Sequence, residues 1–154
     1  MEKIRVLFLC TGNSARSQMA EAFLRNHGGE RFEAYSAGLE PKDIHPCTRQ
    51  VLAEASLDMA GQYSKSVNEY LGKVHFGYLI TVCGDADKKC PIFPGVSVRL
   101  HWPFEDPAKF VGTEEEKLNK FREIRDQIEA KIKTWVTEAN PAAEQGLDFV
   151  LKLN

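Results

Sequence analysis

Apolar residues along the chain follow two alternating patterns. Short, mostly apolar runs bounded by Gly or polar residues are typical of strands buried on both faces of a sheet. Four such runs span residues 4–9, 32–37, 78–82 and 96–100. Between them, apolar residues recur with helical spacing at 17–27 and 45–55, and a short helix is predicted at 67–72. Alternating strands and helices favour a parallel sheet with right-handed crossovers. We therefore expect a single α/β domain, with four parallel strands in the order 2-1-3-4 flanked by helices.

The clearest predicted helix lies near the end of the chain. Thr113 and Glu116 have the spacing of a capping box at its start. Apolar residues then repeat at intervals of three and four and form one face: Leu118, Phe121, Ile124, Ile128, Ile132 and Trp135 or Val136. The residue before a proline disfavours helix, so we expect the helix to end before Asn140-Pro141. Residues 1–139 are predicted to form the domain, and residues 140–154 a C-terminal tail.

Composition and charge exclude several classes of protein. A chain of 154 residues suits one domain with a sizeable core, and neither repeats nor low-complexity segments divide it. A net charge of −2 does not suggest binding to nucleic acid or to an anionic membrane. The apolar runs are too short to cross a bilayer. Arg5 interrupts the first run and no cleavage-like region follows, so we expect no signal peptide and a cytoplasmic location.

The strongest chemical signal is the segment Cys-Thr-Gly-Asn-Ser-Ala-Arg-Ser at residues 10–17, which joins the first strand to the first helix. If this loop curls, its amide N–H groups can point together at an anion, and the N-terminus of the helix adds positive potential. Gly12 and Asn13 suit an unusual backbone, and Arg16 offers a planar pair of donors. The predicted oxyanion-binding residues are Thr11, Gly12, Asn13, Ser14, Ala15 and Arg16.

Cys10 is predicted to lie at the base of this loop as a nucleophile. The surrounding amides and the helix terminus are expected to lower the pKa of its thiol, to about 3.5–7.5 in sites of this kind. Ser17 could donate a hydrogen bond to the sulfur. The alternative is a buried cysteine with an unrelated surface arginine, but Gly and Asn within the loop and the strand-to-helix junction favour a site.

The loop resembles the phosphate-binding loop of the low-molecular-weight tyrosine phosphatase superfamily, which includes the thioredoxin-coupled arsenate reductases. Residues 6–23, with Arg-Ser-Gln-Met-Ala-Glu at 16–21, resemble the reductase branch more closely. The phosphatase branch usually has a second cysteine in the loop and a proline after the Arg-Ser pair, where this chain has Ala15 and Gln18. The resemblance covers about residues 4–138, and it also implies the strand order 2-1-3-4.

Two further cysteines flank a mostly polar segment. Cys83 follows the third strand, so it is expected at the same edge of the sheet as Cys10. The two can form a disulfide if their Cα atoms come within about 7 Å, and Cys90 could then attack Cys83 by exchange. The segment between Cys83 and Cys90 lacks large apolar side chains and is predicted to be a loop that rearranges easily.

Two other interpretations of Cys83 and Cys90 remain open from the residues themselves. Zinc would need four ligands, and the segment offers only two aspartates beside the thiols. Cys83 could instead be a buried core residue, with Cys90 incidental. The resemblance implies that Cys83 and Cys90 are the two resolving cysteines of the reductases, which tyrosine phosphatases lack. Cys47 is interpreted as a bystander, and His45, His75 and His101, which lack metal spacing, as surface or satisfied residues.

Asp106, in the loop after the fourth strand, is predicted to act as a general acid. A carboxyl group facing a bound oxyanion is destabilised when ionised, so it can hold a proton for a leaving oxygen. The alternative is an Asp that forms a turn before Pro107. The resemblance also implies the general acid at this position. Ala108 follows where phosphatases typically carry a tyrosine that shapes the phosphotyrosine cleft.

The resemblance also raises the question of a bound ion. Some members of the superfamily hold a potassium ion beside the phosphate loop, partly through an acidic side chain. A loose alignment places Lys65 at that position here, so an ammonium group could replace the ion. We therefore expect little activation by potassium. The ligand count around Cys83 and Cys90 argues against a metal site, and no organic cofactor is expected because thiols can carry the electrons.

Together with these residues, the resemblance implies reduction of arsenate to arsenite by a relay of Cys10, Cys83 and Cys90, with Arg16, Ser17 and Asp106 assisting. Thioredoxin or a similar dithiol would reduce the final disulfide, and weak phosphatase activity could accompany the reaction. The alternative is a low-molecular-weight protein tyrosine phosphatase that uses Cys10, Arg16 and Asp106. A third hypothesis is a regulatory module that binds oxyanions, although binding alone does not require a buried thiolate.

Overall fold

A computed structural model of the protein describes residues 2–90 and 94–138. Its sheet consists of the strands β1 (Ile4–Cys10), β2 (Phe32–Gly38), β3 (Phe76–Thr81) and β4 (Val96–His101). Its helices are α1 (Arg16–Gly28), α2 (Pro46–Glu54), α3 (Gly84–Lys89) and α4 (Glu114–Glu138). Single 3₁₀ turns lie at Val67–Glu69 and Pro107–Lys109. The predicted α/β class is confirmed.

The four strands are parallel and follow the order β2-β1-β3-β4, as predicted. In the centre of the sheet, Leu7 of β1 lies opposite Tyr35 of β2 and Leu79 of β3. Residues 6–10 of β1 are all buried, as expected for a central strand covered on both faces. On the edge strand β4, half-buried and exposed residues alternate, and Arg99 and His101 lie on its exposed side.

The long helix α4 has the start and the apolar face that the sequence predicts. Thr113 Oγ1 accepts a hydrogen bond from the amide of Glu116, and Glu116 Oε1 accepts one from the amide of Thr113. The buried face consists of Phe121, Ile124, Ile128, Ile132 and Val136, with Leu118 and Trp135 half-buried. Asn140-Pro141 and the predicted tail 140–154 lie outside the described residues, so this domain boundary stays a prediction.

The prediction of a loop between Cys83 and Cys90 is wrong, because α3 occupies residues 84–89. Cys83 caps this helix, since its sulfur accepts a hydrogen bond from the amide of Ala86 at 3.3 Å. Ala86 is fully buried in the core and anchors the helix despite its small side chain. Six residues are too few to show a helical period, and Cys is not a typical N-cap.

Two smaller differences separate the predicted helices from the observed ones. The helix predicted at 67–72 is a single 3₁₀ turn, which Ser66 caps by accepting a hydrogen bond from the amide of Asn68. Helix α2 ends at Glu54, one residue before its predicted end. Among residues 2–90 and 94–138, no helix has the length and apolar character needed to cross a membrane.

Gly38 at the end of β2 is where the sheet approaches the loop after β1 most closely. A Cβ atom there would lie 2.7 Å from the carbonyl oxygen of Thr11 and 2.9 Å from the amide nitrogen of Asn13. Since both are backbone atoms, the clash cannot be relieved by a rotamer change. The absence of a side chain at Gly38 therefore fixes where this loop can sit.

We expect Gly38→Ala to destabilise the fold by about 1–3 kcal/mol, the usual range for overpacking. Gly12→Ala is the matched control, because its Cβ would make only ordinary contacts, the nearest at 3.6 Å from Ser14 Oγ. Urea unfolding of the two variants provides the comparison. Equal midpoints for Gly38→Ala and the wild type would show that the loop can move away at little cost.

Candidate active site

The segment after β1 forms a loop with its carbonyl oxygens turned outward. These carbonyls are held by the chain that follows β2. Thr11, Gly12 and Ser14 accept hydrogen bonds from the amides of Glu40, Lys42 and His45, respectively, at 2.8–3.0 Å. Within the described residues, the N–H groups of Gly12, Ser14, Ala15 and Arg16 donate no hydrogen bond. These four N–H groups therefore remain available to an anion. The N–H of Asn13, which was also predicted to bind the anion, instead donates to the sulfur of Cys10.

Asn13 anchors this loop to its surroundings. Its backbone is left-handed, with φ of 51°, and its side chain is completely buried. The side-chain Nδ2 donates to Ser17 Oγ at 2.8 Å and to Ser36 Oγ at 3.0 Å. Its Oδ1 accepts from the amide of Lys65 and from Gln18 Nε2, both at 3.0 Å. The side chain therefore joins the loop to α1, β2 and the segment before the 3₁₀ turn.

Cys10 lies beneath the loop and is almost completely buried. Its sulfur lies 2.8 Å from Ser17 Oγ and accepts a hydrogen bond from the amide of Asn13 at 3.1 Å. Burial raises the pKa of the Cys10 thiol above its ordinary value. The Ser17 hydroxyl, the charge of Arg16 and the amides of Asn13 and Ser17 each lower this pKa. The prediction of a lowered pKa is therefore wrong, because removal of the sulfur from water outweighs these donors.

Arg16 connects the loop with the segment that carries Asp106. Its Nη1 donates to the carbonyl oxygen of Phe104 at 3.0 Å, and its Nη2 lies 3.6 Å from Asp106 Oδ2. The other carboxylate oxygen of Asp106 accepts a hydrogen bond from the amide of Ala108 and caps a 3₁₀ turn. Asp106 thus has the turn-forming role that was its alternative interpretation, while Oδ2 faces the arginine.

A cavity of about 580 Å³ opens above Cys10. Its lining includes the predicted residues Thr11, Gly12, Ser14, Ala15, Arg16, Cys83 and Asp106. Thr11 Oγ1 lies 3.5 Å from the sulfur of Cys83, so the second cysteine faces the same space as the first. Asn13 and Ser17 lie behind the loop and are not part of the lining.

Cys90 is not among the residues that line this cavity. It is half-buried at the far end of α3, whose other end is capped by Cys83. A helix rises about 1.5 Å per residue, so the Cα atoms of these cysteines are about 10 Å apart. That separation exceeds the span of a disulfide, about 7 Å at most. Helix α3 must therefore unwind before Cys83 and Cys90 can bond.

The ammonium of Lys65, the residue that the sequence alignment suggested could replace an ion, lies buried behind the loop. Its Nζ donates to the carbonyl oxygen of Ser36 at 2.9 Å and lies 4.0 Å from Glu21 Oε1. Burial lowers the pKa of Lys65, while the charges of Glu21 and Glu69 raise it. Among the described residues, no group of three or more His, Cys, Asp or Glu side chains is arranged to hold a metal.

Two kinds of functional residue were missed from the sequence. His45 was interpreted as a surface or satisfied residue, and its ring does accept a hydrogen bond from the amide of Cys47, which caps α2. What the sequence did not indicate is that His45 also lines the cavity. Gln18 was noted only as a replacement for proline. Its Nε2 donates to the carbonyl oxygens of Asn13 and Tyr63 at 3.0 Å, which braces the loop from behind. The spacing of neither residue carries a signal, because both depend on contacts between distant segments.

A loop with free N–H groups, an arginine and a buried cysteine at the carboxyl ends of parallel strands defines a cysteine-based oxyanion site of the phosphatase type. A family match agrees with this class. Residues 5–145 match the family described as low molecular weight phosphotyrosine protein phosphatase, and the chain belongs to that family.

Individual relatives lie in the branch that the sequence resembles, which confirms the resemblance. An arsenate reductase from Oceanobacillus iheyensis is 44% identical over 136 residues, covering 88% of this chain and 96% of the relative. A solved arsenate reductase in its phosphate-binding state superposes with a TM-score of 0.75 at 27% identity, over 89% of this chain and 99% of its own. A thioredoxin-dependent arsenate reductase from Corynebacterium glutamicum has a TM-score of 0.66 at 28% identity, over 90% of this chain and 62% of its own.

We expect Ser17→Ala to raise the pKa of Cys10 further. The Ser17 hydroxyl is the strongest of the contacts that lower this pKa, so its loss leaves the effect of burial less opposed. Alkylation of Cys10 by iodoacetamide should slow about twofold to tenfold at neutral pH, and its pH midpoint should move to higher pH, because only the thiolate reacts. Mass spectrometry of the Cys10 peptide measures both.

Ser14→Ala is the control for this experiment. Ser14 lines the same cavity, but its hydroxyl is not among the groups that shift the pKa of Cys10. The pH midpoint of Cys10 alkylation in Ser14→Ala should match that of the wild type. An unchanged midpoint in Ser17→Ala would show that this hydroxyl does not stabilise the thiolate.

Potassium salts should increase activity no more than sodium salts at equal ionic strength, because Lys65 already provides a positive charge beside Glu21 and Ser36. Steady-state rates in the two chlorides test this. A rate several times higher in potassium would show that an ion binds despite the ammonium.

Proposed function

We propose that the protein reduces arsenate to arsenite through a relay of Cys10, Cys83 and Cys90. The observation that supports this best is that the cavity holds two thiols. Cys10 lies at its base, and Cys83 lies in its lining close to Thr11. Hydrolysis of a phosphate ester requires only one thiol, an arginine and an acid. The names of the relatives, which are arsenate reductases, agree with the proposal.

The first step forms a bond between sulfur and arsenic. The free loop amides and Arg16 hold three of the arsenate oxygens, and the Cys10 thiolate attacks the arsenic. Because burial raises the pKa of Cys10, the anion-stabilising contacts from Ser17 and Asn13 matter at this step. Asp106, which faces Arg16, donates a proton to the oxygen that leaves as water.

The second step is the reduction itself. The Cys83 thiolate attacks the sulfur of Cys10, the sulfur–arsenic bond breaks, and its electron pair passes to arsenic. Arsenic is thereby reduced by two electrons and leaves as arsenite, while Cys10 and Cys83 become a disulfide. Cys83 needs no large displacement of the sheet for this, since it already faces the cavity.

The third step moves the disulfide away from the cavity. Cys90 attacks Cys83, Cys10 leaves as a thiolate, and α3 unwinds so that the new pair can bond. Thioredoxin or a similar dithiol then reduces the disulfide between Cys83 and Cys90. The thiols carry all the electrons, so the reaction requires no organic cofactor. The reducing cytoplasm is the compartment in which such thiols remain available.

The single-cysteine variants should stop at different steps. Cys83→Ser should release no arsenite, because nothing attacks the Cys10 adduct. Cys90→Ser should release one equivalent of arsenite per protein and then stall with a disulfide between Cys10 and Cys83. The measurements are arsenite release in a single turnover without reductant and peptide mapping of the disulfides.

Cys47→Ser is the matched control, since Cys47 lines a different cavity beside α2 and α4. It should behave like the wild type, which is expected to accumulate the disulfide between Cys83 and Cys90. All variants should retain weak hydrolysis of an aryl phosphate. If Cys83 and Cys90 remain free thiols after stoichiometric arsenite release, the relay is wrong and the phosphatase alternative gains support.

A further inference from the structure

A polar cluster outside the cavity holds α3 against the edge of the sheet. Its centre is the Asp87 carboxylate on α3, whose Oδ1 accepts a hydrogen bond from Thr81 Oγ1 at 3.1 Å. Arg99 Nη2 donates to the carbonyl oxygen of Asp87 at 2.7 Å and to its Oδ1 at 3.3 Å. His101 Nδ1 lies 2.8 Å from Thr81 Oγ1 and 3.9 Å from Asp87 Oδ1. Asp87 therefore ties α3 to the ends of both β3 and β4.

Arg99 also acts on Cys90. Its guanidinium donates to the carbonyl oxygen of Asp87, three residues before Cys90, and from there its charge and hydrogen-bonding interaction lower the pKa of the Cys90 thiol. Burial is the larger influence and raises this pKa, and the Asp87 carboxylate raises it further. The Arg99 guanidinium thus interacts both with the Cys90 thiol and with the Asp87 carboxylate, whose negative charge opposes ionisation of that thiol.

We propose that Arg99 is a catalytic residue of the second disulfide exchange, in which it stabilises the Cys90 thiolate while Asp87 keeps α3 closed and competes for the same guanidinium. This inference rests on the proposed relay. In the exchange, the Cys90 thiolate bonds to the sulfur of Cys83 and the bond between Cys10 and Cys83 breaks. Cys10 leaves as a thiolate, so no electrons are gained or lost overall.

The position of Arg99 suits this role. It lies on β4, which is paired with β3 and need not move when α3 unwinds. Its charge therefore stays at the position that Cys90 occupies in the closed helix, from which the exchange begins. A guanidinium does not lose its proton in proteins, so it can stabilise a thiolate without donating a proton to it. Asp87 is a positioning residue, since its contacts hold the helix closed and its charge opposes ionisation of Cys90.

The first test uses the reduced protein and does not depend on arsenate. Arg99→Gln should slow alkylation of Cys90 by iodoacetamide at neutral pH, by about twofold to tenfold because the site is partly exposed and the charge is screened. Asp87→Asn should have the opposite effect, because the amide can still accept from Thr81 but no longer opposes ionisation. Arg99→Lys keeps the charge and should recover part of the rate.

Arg5→Gln is the matched control. Arg5 has an exposed carboxylate partner, Glu33, at 3.5 Å and a similar exposure to that of Arg99, but lies at the start of β1. Its Cys90 alkylation rate should equal that of the wild type. If Arg99→Gln and Asp87→Asn change the rate in the same direction, or neither changes it, the inference is overturned.

The second test follows the disulfides after a single addition of arsenate without reductant. Arg99→Gln should release arsenite and form the disulfide between Cys10 and Cys83 at the wild-type rate. Its conversion to the disulfide between Cys83 and Cys90 should be several times slower, with a pH profile moved to higher pH. If the wild type forms the second disulfide and Arg99→Gln forms it equally fast, the inference is wrong while the relay stands. If the wild type forms neither disulfide, the relay itself is wrong.

Discussion

The buried side chain of Asn13 is the interaction on which the active site depends. All of its polar atoms have partners, and those partners come from α1, β2 and the segment before the 3₁₀ turn. A buried amide that loses a partner costs about 1–3 kcal/mol, so this arrangement tolerates little displacement. It also fixes a left-handed backbone at Asn13, and the N–H groups of the three residues that follow have no partner within the described residues. The loop is thus shaped by its surroundings before any anion binds.

Helix α3, unlike the loop after β1, is held by contacts that can open. It spans six residues, and in the relay it would have to open at every turnover, because its ends hold thiols that must bond. Short helices are marginal without tertiary support, and here the support comes from buried Ala86 and from the polar contacts of Asp87. Polar contacts near the surface are weak and can be broken and remade. That makes them suited to a segment that must close again.

Much of the fold and part of the site could be predicted from the sequence. The four strands are short, mostly apolar runs, and α4 has a clear helical period. The loop after β1 combines a cysteine, a glycine, an asparagine and an arginine in a pattern typical of an anion site. Helix α3 could not be predicted, because its anchor is a single alanine and its cap a cysteine. The pKa of Cys10 was predicted in the wrong direction because the motif shows the donors around the sulfur but not how deeply it is buried. His45 and Gln18 depend on long-range contacts that no local pattern records.

The order of steps in the proposed relay follows from which thiols reach the cavity. Cys10 lies at its base and Cys83 at its side, so an adduct on Cys10 is open to attack by Cys83. Cys90 is kept away by the length of α3, about 10 Å, and cannot attack the adduct while the helix is closed. Premature bonding of Cys83 with Cys90 would remove the thiol that completes the reduction. A closed α3 prevents this, and its opening is useful only after Cys83 has bonded to Cys10. In the proposed relay, the helix therefore delays the second disulfide by keeping Cys90 away from Cys83 until the first has formed.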